Sequence, residues 1–260
     1  MDVFKIEWFA RINGQEYELK RLSEVFNSLE ACVQLEDDDD NQYILKSIHF
    51  TDCKNSTEVL NKAKELIQRI NGIGKLTIDF FNSLQIDSIV QIEEDGGKRV
   101  SKFFDTSIMI GRSYATARLT IIRDGEIIEE EDDDDDVISV QSNWLVLAEI
   151  NENVNTVIRL LSKGIDSWVN LYRLLEVIEG DLGRKRKVSD KGWITDKKRT
   201  LFRRTANSVT ILGDDARHGF DDSEPPPNPM DITEAKSLII KVIKEWLNEK
   251  IIIEQTKINT

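Results

Sequence analysis

The spacing of apolar positions changes near the middle of the chain. Up to residue 128, short apolar runs alternate with turn residues. Residues 4–14 read as a strand entering an Asn13-Gly14 turn, with residues 16–20 pairing back across it, although residues 22–26 carry helix propensity. The four aspartates at 37–40 repel one another and predict a solvated loop. Residues 43–50 are apolar and β-branched and predict a strand containing His49, which without a second histidine nearby is expected to be structural rather than a ligand. Apolar residues at 59, 60, 63, 66, 67 and 70 form a helical stripe that Asn71-Gly72 and Gly74 should stop. Further strands are expected over 86–92, 102–110 and 114–122, with hairpin turns at Asp95-Gly96-Gly97 and Arg123-Asp124-Gly125. The fold class predicted for residues 1–128 is α+β, a mainly antiparallel sheet with one helix.

From Trp144 onward the period is helical. Val154, Val157, Ile158, Leu161, Ile165, Trp168, Leu171, Leu175 and Ile178 recur every three or four positions, which requires a kinked helix or two helices broken near Gly164, closed by Gly180 and Gly183. A shorter helix is expected over 195–207. The last begins at Asp231 with Glu234 in the third position, a capping box, and carries an apolar face through Ala235, Leu238, Ile239, Val242, Ile243, Trp246 and Leu247. The proline-rich residues 224–229 ahead of it should run extended. Residues 137–260 are therefore expected to form an all-α helical bundle. Between the two regions lie eight consecutive acids, 129–136, which burial could not compensate and which read as a linker or loop. They lack the glycine turn and mixed oxygen spacing of a calcium loop, so no metal is assigned to them. The expected organisation is an α+β sensor or docking domain (1–128), the acidic linker, and the helical domain (137–260).

Composition narrows the class. With 260 residues, 40% hydrophobic content, ten Phe and five Trp, the chain can build substantial cores. Cys32 and Cys53 are too few for a disulfide scaffold or a zinc cluster and read as cytosolic thiols. No basic-then-apolar leader opens the sequence and no apolar stretch approaches a membrane span, so a cytoplasmic protein without membrane contact is expected. There is no phosphate-binding glycine loop, dinucleotide fingerprint or paired-histidine metal motif, and no cofactor is implied.

Charge then points to a site. The net charge is −13, but it is unevenly spread: residues 1–136 hold 30 acids and 16 bases, whereas residues 184–204 hold ten bases and two acids. Arg184, Lys185, Arg186, Lys187, Lys191, Lys197, Lys198, Arg199, Arg203 and Arg204 make a segment suited to polyanion contact, with Trp193 and Phe202 expected to plug the bundle rather than stack bases. A solvated loop is the plainer account of 184–187. Just beyond lies Gly213-Asp-Asp-Ala-Arg217-His218-Gly219, whose glycines suit a tight turn and whose histidine is the only imidazole in this half. Tyr172 and Glu176, four apart on one helix face, together with Arg173, Glu179 and Asn207, are polar candidates to meet it. Arg217 is equally able to pair with Asp214, Asp215 or Glu176, and His218 to cap a helix.

Residues 168–179, Trp193, residues 202–207, 213–219 and 229–235 together resemble bacterial and phage proteins whose helical part is similar to the HEPN-like, abortive-infection proteins. That resemblance covers roughly the last 110 residues, leaving the α+β region aside. It implies a helical bundle, often dimeric, with an RNA-cleaving or RNA-binding site made by an arginine, a polar partner and a histidine, onto which His218 and one arginine carry over; in a metal-independent cleaving version His218 exchanges protons while Arg217 with Arg204 stabilises the developing charge. The HEPN motif separates its arginine and histidine by four to six residues, whereas Arg217 and His218 are adjacent. The expected function is RNA binding or metal-independent RNA cleavage, in phage defence or its regulation, with RNA, a protein docked on the N-terminal domain and a second copy as partners. The alternative is a non-enzymatic assembly module on an inactive HEPN-like scaffold, in which the acidic run 129–136 masks the basic segment.

Overall fold

In a computed structural model of the chain the described residues are 7–36, 39–79, 81–93, 96–103, 122–123, 126–127, 134–183, 187–219 and 224–258. An antiparallel sheet occupies the N-terminal region in the order β2-β3-β1-β4-β5, formed by β1 (Glu7–Asn13), β2 (Cys32–Glu36), β3 (Asp39–Lys46), β4 (Gln85–Ile92) and β5 (Lys98–Lys102). A small hairpin pairs β6 (Ile122–Arg123) with β7 (Glu126–Ile127). The alternation along β1 decides what each face meets: Trp8, Ala10 and Ile12 join the main core, while Phe9 packs with Ile44 and Val90 on the opposite face.

The C-terminal region is an all-α bundle, as its periodicity requires: α3 (Asp134–Ile150), α4 (Glu152–Ser162), α5 (Trp168–Leu182), α6 (Asp196–Asn207), the single turn α7 (Val209–Leu212) and α8 (Ile232–Ile258). Side-chain caps set the starts of several helices, with Asn151, Ser167, Thr195 and Asp231 accepting backbone N–H bonds from the first turns of α4, α5, α6 and α8. Gly164 and Gly183, both at positive φ, separate α4 from α5 and end α5. Asp181 ties three helices together. Burial alone would raise its pKa, but hydrogen bonds from Lys250, Trp246 and Asn153 hold the carboxyl below its ordinary value. The buried apolar side chains of the two regions form one connected cluster from Trp8 to Leu247. No helix among the described residues is long and apolar enough to cross a membrane.

Several local expectations change. Residues 16–20 belong to helix α1 (Glu16–Val25), not to a returning strand, because Leu19 and Leu22 reach the core together from one helical face. His49 lies in a 3-10 turn (Ile48–Phe50) after β3 rather than inside a strand; Ser47 caps that turn by accepting the His49 N–H. Helix α2 runs from Ser56 to Thr77, straight through the glycines that were expected to stop it. Gly72 is a packing residue: a Cβ there would sit 2.2 Å from the carbonyl oxygen of Ile158, so α2 and α4 touch backbone to backbone. Gly74 makes room for the Phe81 ring in the same way. The buried Asn71 side chain bonds both backbone groups of Leu84, donating at 3.1 Å and accepting at 2.7 Å, and so anchors the chain entering β4. Of the aspartates at 37–40, Asp39 and Asp40 belong to β3, and of the acids at 129–136 the last three belong to α3. Residues 37–38, 104–121 and 129–133, on which other expectations fell, lie outside the described residues.

Candidate functional site

Helix α5 sets the site because Tyr172, Glu176 and Glu179 recur along one of its faces. Tyr172 is buried and stacks on Phe202 of α6, centroids 6.1 Å apart, which in turn meets Trp168 at 5.8 Å. Two guanidinium groups lie over its ring, Arg217 at 4.1 Å and Arg203 at 5.2 Å. Arg217 reaches that ring because its backbone N–H donates to the carbonyl of Ala206, at the end of α6, at 2.9 Å. Its Nη2 donates to Glu176 at 2.7 Å, so the tyrosine and acid four residues apart hold one arginine between them.

The other amino group of Arg217, Nη1, lies 2.8 Å from Nε2 of His218, which is exposed. A guanidinium has protons to donate and no lone pair to accept with, so Nε2 is the acceptor. Proton transfer through Nε2 requires that contact to open first.

Beneath this pair is a fork of opposite charge. Glu179 accepts from Arg199 at 2.5 and 2.9 Å and from Arg203 at 3.0 Å, with the Glu179 and Arg199 side chains only 13% and 12% exposed. Those hydrogen bonds raise the pKa of Arg199 above that of an ordinary guanidinium. The fork staples α5 to α6 and neutralises much of the local positive charge.

The predicted residues thus divide. Tyr172, Glu176, Arg199, Arg203, Arg217 and His218 converge. Arg204 is exposed and donates to the backbone carbonyl of Glu224 at 2.9 Å; among the described residues no hydrogen bond joins it to Arg217 or His218. Asn207 ends α6 with its carbonyl oxygen buried and unbonded. Arg173 and Lys197 are exposed, Lys198 pairs with Glu234 at 3.5 Å, and Lys191 binds Glu249 at 2.6 and 2.8 Å. Lys187 lies at the edge of a cleft of about 850 Å³ between the loop before α6 and helix α8, where Lys198 and Lys241 alternate with Asp190, Asp196 and Glu234. Arg184, Lys185 and Arg186 lie outside the described residues. Trp193 and Phe202 are both buried in the bundle, as expected.

The neutralising role of Glu179 was not legible in the sequence, although its position one turn beyond Glu176 on the same face was the available signal. Compared with known proteins, the chain matches no family model, no curated protein and no solved structure.

Proposed function

We propose that the helical region binds RNA through its phosphodiester backbone at the Arg217–His218 corner, and that His218 serves metal-independent cleavage there. The observation that carries this reading is the exposed imidazole held 2.8 Å from a guanidinium that is itself clamped by Tyr172 and Glu176. A pre-positioned cation beside an imidazole suits an anionic centre on which charge develops during transfer. An arriving phosphate competes for the Nη1 donor and releases Nε2, which then takes the proton of a 2′-hydroxyl or, once protonated, returns one to the leaving oxygen. Arg203 adds positive charge on the same tyrosine ring, and Arg204 extends the surface along which the strand would lie.

The second reading, a non-enzymatic assembly module, draws on a different observation. Glu176 and Glu179 already occupy Arg217, Arg199 and Arg203, so the cluster also serves as an ion-paired staple between α5, α6 and the 213–219 segment. Incubating the full chain with end-labelled RNA, with and without chelator and with folding followed by circular dichroism, separates the two. Cleavage that persists in chelator and disappears in His218→Ala supports the enzyme. Unchanged product formation in that variant removes His218 from the chemistry, and retention of RNA without cleavage by either protein leaves binding alone.

A further inference from the structure

The second histidine has the opposite surroundings. His49, in the 3-10 turn after β3, faces Glu30 from the segment before β2 and Glu149 from the last turn of α3. Its Nε2 lies 3.2 Å from a carboxylate oxygen of Glu30 and 3.0 Å from one of Glu149, and the three donor atoms all fall within 4.8 Å of one another. Nε2 is closed to solvent, and although both carboxylates stand at ion-pair distance neither contact has hydrogen-bond geometry, so this buried nitrogen is left without a hydrogen-bond partner.

We propose that Glu30, His49 and Glu149 bind a divalent cation of the zinc class, which fastens the sheet region to the helical region. Three observations meet in that assignment. The first is spacing: ligand bonds of about 2.0–2.2 Å place neighbouring donor atoms about 2.9–3.6 Å apart around the ion, and the imidazole nitrogen stands 3.0 and 3.2 Å from its two carboxylate neighbours. The second is the unbonded Nε2, which a cation on its lone pair would satisfy at once. The third is a fixed carboxylate: Arg69 of α2, whose Nε reaches Asn155 of α4 at 3.4 Å, donates from Nη1 at 2.9 Å to Oε1 of Glu149, the oxygen that faces His49, so an arriving ion shares that oxygen with the guanidinium or turns the second carboxylate oxygen toward itself. One imidazole with two carboxylates favours zinc over magnesium, because the nitrogen donor suits the borderline ion. Three protein donors leave a coordination position for water. A cleft of about 200 Å³, lined by Lys62, Glu65, Leu66 and Arg69, adjoins the histidine and Glu149.

The site joins elements far apart in sequence, so its occupancy should show in stability as well as in binding. Isothermal titration of the full chain with zinc chloride is expected to give one ion per chain, with a rise in melting temperature, and magnesium chloride at the same concentration is expected to give neither. His49→Ala and Glu149→Gln should each weaken zinc at least tenfold. Because Glu30 is 39% exposed on its side chain, Glu30→Gln provides a variant with little risk to folding, and it should weaken zinc as well. Cobalt in place of zinc should show ligand-field bands without a thiolate charge-transfer band, which excludes Cys32 and Cys53 as the donors. Failure of the unaltered chain to bind zinc, a thiolate band with cobalt, or unchanged affinity in Glu30→Gln or His49→Ala would each overturn the assignment. None of these readouts depends on RNA, so they stand or fall apart from the role given to His218.

Discussion

The sheet region and the helical bundle solve the same electrostatic problem alike and then use their single histidines in opposite ways. Each contains a nearly buried carboxylate forked by two cations: Glu36 with Arg11 and Lys98 in the sheet, Glu179 with Arg199 and Arg203 in the bundle. The bundle fork joins α5 to α6, whereas the sheet fork links strands that are not adjacent, β2 with β1 and β5. The imidazoles differ because their neighbours differ in sign. His218 accepts from a guanidinium at the surface, whereas His49 stands between two carboxylates where the two regions meet. The two proposals, an anion at one imidazole and a cation at the other, rest on that difference in neighbouring charge.

The strongest challenge to the shared half of this comparison is removal of a forked acid. Glu179→Ala leaves Arg199, largely buried, without its carboxylate and is expected to destabilise the chain by about 3 kcal/mol, measured by urea unfolding. If stability is unchanged, the fork contributes no staple between α5 and α6. Next in size is the exchange of histidines. His218→Ala should lower RNA cleavage about 100-fold or more while leaving zinc affinity intact, and His49→Ala should do the reverse. Loss of both properties in either variant would mean that the two sites are not independent.

Gly72→Ala tests the joint between the regions. Helix propensity alone favours alanine by about 1 kcal/mol, but the new methyl meets the Ile158 carbonyl at 2.2 Å, and overpacking of this kind costs about 1–3 kcal/mol or more. Net destabilisation is expected, with weaker zinc binding because α2 carries Arg69 and α4 follows directly on the helix of Glu149. A neutral or stabilising result would show that α2 and α4 do not press together at this point.

A further effect, which develops only gradually with pH, is expected from acid. Hydrogen bonds from Arg11, outweighing the burial that opposes them, and from Lys98 hold the Glu36 carboxyl at about 2, against 4.5 for an ordinary glutamate. Because the folded value is the lower one, this contribution to stability is complete above pH 4.5 and is lost as the pH falls from there toward 2. Melting temperature followed over that interval should decline less steeply in Glu36→Gln than in the unaltered chain; equal slopes would show that Glu36 is not the group titrating.

Much of the fold was legible because periodicity is local. The stripes of α2, α5 and α8, the start of α6 near Thr195, the cap at Asp231, and the β4–β5 turn at Gly96, where φ is 82°, are written within a few residues of where they act. Residues 16–20 misled because a short alternation of polar and apolar residues fits a strand and one helical turn equally well until Leu19 and Leu22 find a common core. Gly72 misled for the converse reason: a glycine that ends a helix and one that lets two helices touch look the same in sequence, and Ile158, which distinguishes them, lies on another helix.

By itself, the sequence determined the division into a sheet-rich and a helical region, the helical stripes, the shared helix face of Tyr172 and Glu176, and the segments in which positive charge is concentrated, since these follow from spacing along single elements and from local charge. Only the tertiary structure decided which charges neutralise one another. Glu179 against Arg199 and Arg203, Arg204 turned to Glu224, and Glu30, His49 and Glu149 drawn together all depend on packing between elements, because Coulomb and hydrogen-bond energies are set by distance in space and the order of residues carries that distance only within one helix or strand.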